Sequence, residues 1–318
     1  MTLDVPRLLA VRGDLPRADL VALGVTEPRL QDLIRRGVIV RVGRATYGVP
    51  RPHLSPEEAH RRLAAATLRR YEGRAVLSHH SALAAAGLPL HGVPLGVAHV
   101  TSLRGARYRR RTDHVLHAAD VSTRPPSDSP ERVGTGLDGR VHVAHALVQT
   151  GLRWGAEALL PSADQAMHRG LVTRQELQAA VTDYAHSPGM SEVRPAVAAV
   201  DHLAESVGES LLRWRVLQLG YPVRSQVDPG CRGHNYRVDL VIDGYRVALE
   251  FDGMDKYALR PGEDEAVRRA RIRAERARDE DIRTAGWYVI HFTWPEIFRP
   301  AVIAARIEAA IAWLTRAA

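Results

Sequence analysis

Apolar and polar positions alternate most regularly over residues 237–257, which read RVDLVIDGYRVALEFDGMDKY. Two alternating runs flank Asp243-Gly244, a dipeptide that favours a two-residue type I′ turn because both of its residues tolerate positive φ. The pattern therefore predicts a tight β-hairpin. Its apolar face would comprise Val238, Leu240, Ile242, Val247, Leu249 and Phe251.

The opposite face of this hairpin carries carboxylates. In the register that a two-residue turn sets, Asp239 faces Ala248, and Glu250 is a diagonal neighbour of Asp239 about 7–8 Å away. Neighbouring carboxylates repel unless a metal ion or a shared proton relieves them. The cluster therefore favours a bound cation; an amphipathic hairpin whose acids pair with Arg237 and Arg246 is the alternative.

Lys256 is the only lysine of the 318 residues, although lysine and arginine together number 44. Arginine replaces lysine wherever only a positive charge is needed. It does not replace a compact ammonium that must touch a water or a phosphate oxygen. We therefore expect a function for Lys256 beside the acidic hairpin; its retention by chance is the alternative.

These residues resemble a known family. Asp239, Glu250-Phe251-Asp252-Gly253 and Lys256-Tyr257, preceded by Gly208-Glu209-Ser210-xx-Arg213, are similar to the very-short-patch-repair-like branch of the PD-(D/E)XK nuclease superfamily. In actinobacteria this module often forms the C-terminal part of proteins of about this length. The resemblance covers residues 203–314. It implies a restriction-endonuclease-like αβββαβ core that hydrolyses phosphodiester bonds.

The resemblance also implies roles for individual residues. Asp239 and Glu250 would hold Mg²⁺ or Mn²⁺, with Glu209 as an outer or second-metal ligand, although an exposed helix glutamate fits the sequence too. Lys256 would orient the attacking water or stabilise charge on the phosphate. Asp252 stands where the superfamily usually has its lysine, and it would ligate the metal or hold Lys256. Gln226 is a further candidate.

Residues 1–50 predict a winged helix-turn-helix, with helices over 5–10, 16–23 and 27–36 and strands over 38–42 and 45–49. In such a fold the third helix enters the DNA major groove and the wing touches the backbone, although similar domains also bind proteins. The segment resembles the N-terminal domain of AbiEi-type antitoxins of type IV toxin–antitoxin systems. The expected DNA contacts are Arg29, Gln31, Arg35, Arg36, Arg41 and Arg44.

Residues 51–202 predict a mixed α/β segment followed by helices. We expect a helix over 56–71, a strand and a short helix in VLSHHSALAAAGLPL, strands over 97–101 and 114–118, a loop over 121–139, and helices over 140–207. The basic loop 104–111 fits a phosphate contact or a solvated tip equally well. Because His79 and His80 are adjacent and share no helix face, a cap or core role is favoured over a metal site.

The last segment predicts a helix over 203–219, a strand over 223–227, the hairpin, a helix over 264–285, a strand over 287–292 and a helix over 301–316. The helix 264–285 is cationic, but its arginines are interleaved with acids, so we expect a solvated face. These arginines are Arg268, Arg269, Arg271, Arg273, Arg276 and Arg278.

Composition narrows the candidate partners. The formal charge is +8 with a pI near 10.1, which makes nucleic acid the first partner to expect and an acidic protein, such as a cognate toxin, the second. The single cysteine, Cys231, excludes an internal disulfide and a cysteine-based zinc site. The sequence shows no signal peptide and no long apolar run, so we expect a cytoplasmic protein with no membrane contact.

Together these features predict an α+β protein with domains at 1–50, 51–202 and 203–318. We expect a Mg²⁺-dependent DNA endonuclease that an N-terminal winged helix directs to DNA, in a phage-defence or toxin–antitoxin setting that the resemblances imply. The alternative is a non-catalytic DNA-binding regulator or antitoxin with a degenerate nuclease fold.

Overall fold

A computed structural model describes residues 3–71, 73–105, 107–123, 139–253 and 264–317. The protein is mixed α+β, with three separate sheets among these residues. The chain divides into two compact units, Met1–Ser162 with Val172–Arg194 and Ala163–Leu171 with Pro195–Ala318. Lys256 and most of the predicted loop 121–139 lie outside the described residues. No described helix is long and apolar enough to cross a membrane.

The first unit begins with three helices and a small antiparallel sheet. The helices are α1 (Val5–Arg12), α2 (Arg17–Ala22) and α3 (Glu27–Arg35), and the strands are β1 (Leu15–Pro16), β2 (Val40–Gly43) and β3 (Thr46–Gly48). The sheet order is β1-β3-β2. The buried side chains of Leu9, Leu20, Leu30, Ile39 and Tyr47 join helices and sheet in one core. The predicted elements are confirmed to within two residues at each end, and only β1 was not expected.

A second sheet follows in the same unit. After α4 (Pro56–Tyr71), the strands β4 (Ala75–Leu77), β5 (Ala98–Ser102), β6 (Arg109–Arg110) and β7 (His114–His117) lie in the order β4-β5-β7-β6, and α5 (His79–Ala85) follows β4. Only β5 and β7 are parallel among these strands. The helices of the predicted helical segment are α6 (Val143–Trp154), α7 (Ala156–His168), α8 (Arg174–Asp183) and α9 (Met190–Ala198).

The second unit contains a four-stranded sheet between helices. Its elements are α10 (Val207–Gln218), β8 (Val223–Val227), β9 (Val238–Ile242), β10 (Val247–Asp252), α11 (Glu265–Thr284), β11 (Tyr288–Thr293), α12 (Trp294–Ile297) and α13 (Pro300–Ala317). The sheet order is β11-β10-β9-β8, with β10 and β11 parallel and the other pairs antiparallel. Apart from the short α12, the elements follow the predicted order.

Each face of this sheet is covered by a different set of helices. On one face Leu240, Leu249 and Phe292 pack with Leu211 of α10 and Ile303 of α13. On the other face a smaller cluster forms around Ile282 of α11; its members from the sheet are Val238, Val241, Ala248 and Val289. Val238, expected on the first face, lies at the beginning of β9 and packs in the smaller cluster instead. The acidic positions of β9 and β10 therefore share their face with α11.

The hairpin differs from the predicted register. Val241 pairs with Ala248, so the expected pairing of Asp239 with Ala248 is wrong by two residues. The connection between the strands therefore spans residues 243–246. It is not a type I′ turn on Asp243-Gly244, which would require positive φ at both residues, because only Gly244 has one, at +81°. A shift by two residues preserves the faces of the strands. Continued by one pair, the observed register places Glu250 directly opposite Asp239.

Candidate functional site

Asp239 of β9 and Glu250 of β10 are close enough for the charge of Glu250 to act on Asp239, and the continued register places them opposite each other. Only 5% of Glu250 is exposed, and the Phe251 amide donates a hydrogen bond of 2.8 Å to Asp239 Oδ2. Burial, together with the negative charges of Glu250 and Glu209, raises the pKa of Asp239 to about 8. At neutral pH this cluster therefore favours a bound proton or a bound cation.

Glu209 reaches the same cluster from the first turn of α10. Its Oε2 accepts hydrogen bonds from the side-chain amide of Gln226, at 3.1 Å, and from the Glu205 backbone amide, at 3.0 Å. Gln226 has a φ of +52°, a conformation that costs a non-glycine residue about 1–3 kcal/mol and that occurs mainly at functional sites. The structure thus brings Gln226 and Glu209 together with Asp239 and Glu250.

Gly208 explains how Glu209 comes so close to β10. A Cβ atom at position 208 would lie 2.0 Å from Cε1 of Phe251. Only glycine therefore lets the beginning of α10 pack directly on the strand that carries Glu250. The glycine of the Gly208-Glu209 pair is a packing requirement, and the glutamate gains its position from it.

Arg278 supplies a cation to the cluster that was not expected from the sequence. Its Nη2 lies 2.8 Å from Glu250 Oε1, with Arg278 only 22% exposed, so the expectation of a solvated face is wrong for this residue. Arg278 lies one helical turn before Ile282, the buried residue of α11, and this spacing places both on the sheet-facing side. That spacing is the signal that could have identified it.

The two arginines of the hairpin do not neutralise the acid pair as the alternative interpretation required. Arg237 forms an ion pair of 2.7 Å with Glu205, and Arg246 donates to the Ala285 carbonyl. Arg278 takes that role for Glu250 instead.

Asp252 is held by a histidine on the neighbouring strand. His291 Nδ1 lies 3.1 Å from Asp252 Oδ1, and His291 Nε2 lies 2.8 Å from Asp279 Oδ2. These two carboxylates raise the pKa of His291 to about 9, so that at neutral pH the imidazolium donates from both nitrogens. The sequence did not indicate a role for His291. Its partner Asp252 comes close through the parallel pairing of β11 with β10, and its partner Asp279 lies on α11.

The charge on His291 predicts a pH dependence of stability. Its pKa in the folded protein lies above the usual value near 6.5, so the ion-pair stabilisation is complete below pH 6.5 and is lost as the pH rises through about 9. Allowing for partial exposure, about 1–2 kcal/mol of unfolding free energy should depend on this proton. In urea unfolding from pH 6 to 10, His291→Asn should lose less stability than the parent by that amount. Equal losses would contradict the assigned ion pairs.

The acid pair suits a hard divalent ion better than it suits a soft one. Mg²⁺ prefers oxygen ligands, keeps several waters and needs only one or two protein carboxylates. Asp239 and Glu250 offer such oxygens, and burial together with the charges of Glu250 and Glu209 raises the pKa of Asp239. The donor set therefore fits Mg²⁺ or Mn²⁺. The predicted contributions of Lys256, and of Asp252 as its holder, stay predictions.

The nucleic-acid contacts predicted on α3 and the wing have different surroundings. Arg35 and Arg36 are exposed and both pair with Asp32, at 3.2 and 3.6 Å. Gln31 is exposed and donates to Glu27, whereas Arg29 is half-buried and donates to the Leu3 carbonyl. Arg41 is exposed, with its guanidinium 5.9 Å from the centre of the Tyr47 ring.

Arg44 of the wing joins a larger group of arginines. One surface pocket of the first unit is lined by Arg44, Arg70 and Arg74 together with Arg109 and Arg111. Arg70 Nη1 is buried and has no hydrogen-bond partner among the residues that the structure describes. Guanidinium groups gathered in this way suit phosphate oxygens, which accept their hydrogen bonds in pairs. We call these five residues the arginine pocket.

Comparison with known proteins gives no indication of function, so the functional interpretation rests on the arrangement of the side chains. No protein-family model and no curated protein matches this sequence. The described residues provide an acidic pair suited to a hard cation in the second unit and an arginine pocket suited to phosphate in the first. Both features fit a substrate that is a phosphodiester.

Proposed function

We propose that this protein is a Mg²⁺- or Mn²⁺-dependent nuclease that hydrolyses phosphodiester bonds of DNA. The observation that carries the proposal is the cluster of Asp239, Glu250 and Glu209, in which burial and the two neighbouring glutamates raise the pKa of Asp239 to about 8. These carboxylates would hold the metal ion. When bound, such an ion activates a water molecule and neutralises charge on the phosphate.

The element order supports the proposal. The succession α10, β8, β9, β10, α11, β11 corresponds to the αβββαβ order of the PD-(D/E)XK core, with the acids on the second and third of its strands. Glu209 and Gln226 border the acid pair, and Arg278 adds positive charge beside Glu250. Lys256, four residues after β10, would orient the attacking water.

Cleavage of supercoiled plasmid in the presence of Mg²⁺ tests this function. The parent chain should nick the plasmid, and Glu250→Gln and Lys256→Ala should each slow cleavage at least about 100-fold. Asp243→Asn is the matched control, because this exposed hairpin carboxylate pairs with Arg224 and lies outside the cluster. Undiminished cleavage by Glu250→Gln would refute the site assignment.

We further propose that the first unit binds DNA through a winged helix-turn-helix. Three helices followed by the β2–β3 hairpin, with β1 completing the sheet, support this interpretation. Gln31 and Arg35 on α3, and Arg36 directly after it, would enter the major groove, and the arginine pocket beside the wing would contact the DNA backbone.

The arginine pocket gives a prediction that is specific to phosphate binding. Replacing Arg44, Arg109 and Arg111 together by alanine should weaken DNA binding about equally for all sequences. The slope of log affinity against log salt should fall by about one for each phosphate that the variant no longer neutralises. Fluorescence anisotropy with a labelled duplex at several salt concentrations measures both effects. Arg316→Ala, an exposed arginine on α13, is the charge control, and an unchanged slope in the triple variant would refute the assignment of phosphate binding to the pocket.

A non-catalytic regulator is the second candidate function. The observation that favours it is the ion pair between Arg278 and Glu250, which places an internal cation at the acid pair. On this alternative the chain would bind operator DNA, and a cognate toxin would be its protein partner. A parent chain that binds DNA but does not nick plasmid with either Mg²⁺ or Mn²⁺ would favour the regulator.

A further inference from the structure

Three histidines from different elements of the first unit converge at one point. His79 begins α5, His99 lies on β5, and His117 ends β7. Each offers one ring nitrogen, and these three atoms all lie within 4.8 Å of one another. His99 Nδ1 and His117 Nε2 are 2.9 Å apart. The parallel pairing of Thr101 with His117 puts His99 and His117 on the same face of the sheet.

We propose that His79, His99 and His117 bind a divalent transition-metal ion of the Zn²⁺ class. Imidazole nitrogen suits Zn²⁺ and its neighbours in the first row, whereas Mg²⁺ prefers the oxygen ligands found in the second unit. The site is thus chemically distinct from the proposed nuclease centre and does not depend on it. His79 is buried, in agreement with the expected core role, and the proposal adds a ligand role to it.

The backbone of His79 is held in place by a buried polar network. His79 has a φ of +52°, and its amide donates to Gln149 Oε1 at 3.1 Å. The Gln149 side-chain amide lies 3.1 Å from Asp120 Oδ2 and 2.9 Å from the Tyr184 hydroxyl. His79 Nδ1 is 3.0 Å from Ser78 Oγ, which directs Nε2 as the ligand atom. Outer contacts of this kind orient the ligands of histidine metal sites.

A carboxylate and a guanidinium both lie near the cluster, and the guanidinium has the larger effect on His117. All three rings are buried or half-buried, and each places one ring nitrogen within 4.8 Å of the other two. The Asp120 carboxylate would offset part of the metal's charge. Arg153 is the nearby positive group that opposes binding.

The members of the cluster differ in burial, and His117 is the least buried. The Trp154 ring makes T-shaped contacts with the rings of His80 and His99, at centre-to-centre distances of 4.7 and 5.1 Å respectively. His99 is only 1% exposed. His117 is half-buried beside the exposed ring of Tyr108. No fourth His, Cys, Asp or Glu of the described chain joins the group. Three histidine ligands with one open position are the coordination of catalytic zinc sites, so a water or a small anion would complete it.

The test is metal binding by the full chain without a polyhistidine tag, after removal of metal by a chelator. Titrations with Zn²⁺ and Co²⁺ are made in the Asp239→Asn background, so that the acid cluster does not contribute. We expect one ion per chain, with the intense visible absorption of tetrahedral Co²⁺. His117→Ala should lower the affinity more than about 100-fold, exceeding the usual effect of an outer contact. His91→Ala, a histidine outside the cluster, should leave it unchanged.

Two outcomes would overturn the proposal. One is equal Zn²⁺ affinity in the His117→Ala and His91→Ala proteins. The other is a starting protein that binds no Co²⁺, or binds it with the weak absorption of octahedral oxygen coordination. The second outcome is decisive even when His117→Ala does not fold, since it needs no variant of the cluster.

Discussion

Asp239→Asn should abolish DNA cleavage and stabilise the folded protein at the same time. The parent carboxyl has a pKa raised to about 8, so its favourable contribution to folding is complete below pH 3.8 and is lost as the pH rises through about 8. Asparagine is neutral and still accepts the hydrogen bond from the Phe251 amide. We expect the free energy of unfolding at pH 8 to increase by about 1–3 kcal/mol. Cleavage should fall at least about 100-fold.

Urea unfolding at pH 8 and pH 4 measures the stability, and plasmid nicking measures the activity. The gain in stability should shrink at pH 4, where the parent carboxyl is protonated. Mn²⁺ bound at the acid pair should raise the free energy of unfolding of the parent protein. It should not raise that of Asp239→Asn through this site, because the variant lacks the carboxylate that binds the ion. The control Asp243→Asn should behave as the parent in both assays. A variant that is less stable at pH 8 and still cleaves would contradict both parts of the prediction.

Arg213→Met should destabilise the protein by about 3–5 kcal/mol. Arg213 and Asp164 form an ion pair of 2.6 Å whose side chains are 4% and 1% exposed. Burial raises the pKa of Asp164, and Arg213 is the main group that opposes this effect. Removing the guanidinium leaves a buried carboxylate without its cation. Chemical denaturation of the parent and the variant gives the difference directly.

The double variant Asp164→Leu/Arg213→Met should recover much of the loss, because it removes both charges together. About 1 kcal/mol should remain lost, since Asp164 also accepts the Asp201 amide. Arg224→Ala is the matched control. It breaks the exposed pair with Asp243 and should cost less than about 1 kcal/mol. A cost for Arg213→Met as small as that of the control would refute the assignment of Arg213 as a buried anchor.

The motif Gly208-Glu209-Ser210-xx-Arg213 combines residues that support the fold with a residue that borders the candidate site. Gly208 admits the Phe251 ring and Arg213 anchors α10 to Asp164, so both are architectural. Glu209 alone of the three borders the acid pair. The position of Glu209 at the acid pair depends on both Gly208 and Arg213, which is why the three residues occur together in the motif.

Helices and strands followed from the sequence because their signals are local. Capping boxes of Ser55 with Glu58 and of Thr173 with Glu176 mark the beginnings of α4 and α8. The strand β8 was predicted with the observed ends. The acids Asp239 and Glu250 were placed on the correct face because the period of a strand is two and the register differs from the prediction by two residues.

Side chains that meet across the fold were beyond a local pattern. Arg278 reaches Glu250 through the packing of α11, and His291 reaches Asp252 through the parallel alignment of β11 with β10. The spacing of Arg278 to Ile282 indicates which face Arg278 occupies but not its partner. The same holds for His79, whose partners His99 and His117 come from two later strands. In the sequence His79 is adjacent to His80, and two adjacent residues of a helix cannot bind the same metal ion because they lie on different faces.

The central claim is that Asp239 and Glu250 together hold the catalytic divalent ion. Anomalous diffraction from crystals of the chain grown with Mn²⁺ and a short DNA duplex tests it most directly. We predict a Mn²⁺ peak in contact with both carboxylates. A saturated crystal with no peak there, and with Arg278 still bound to Glu250, would contradict the claim.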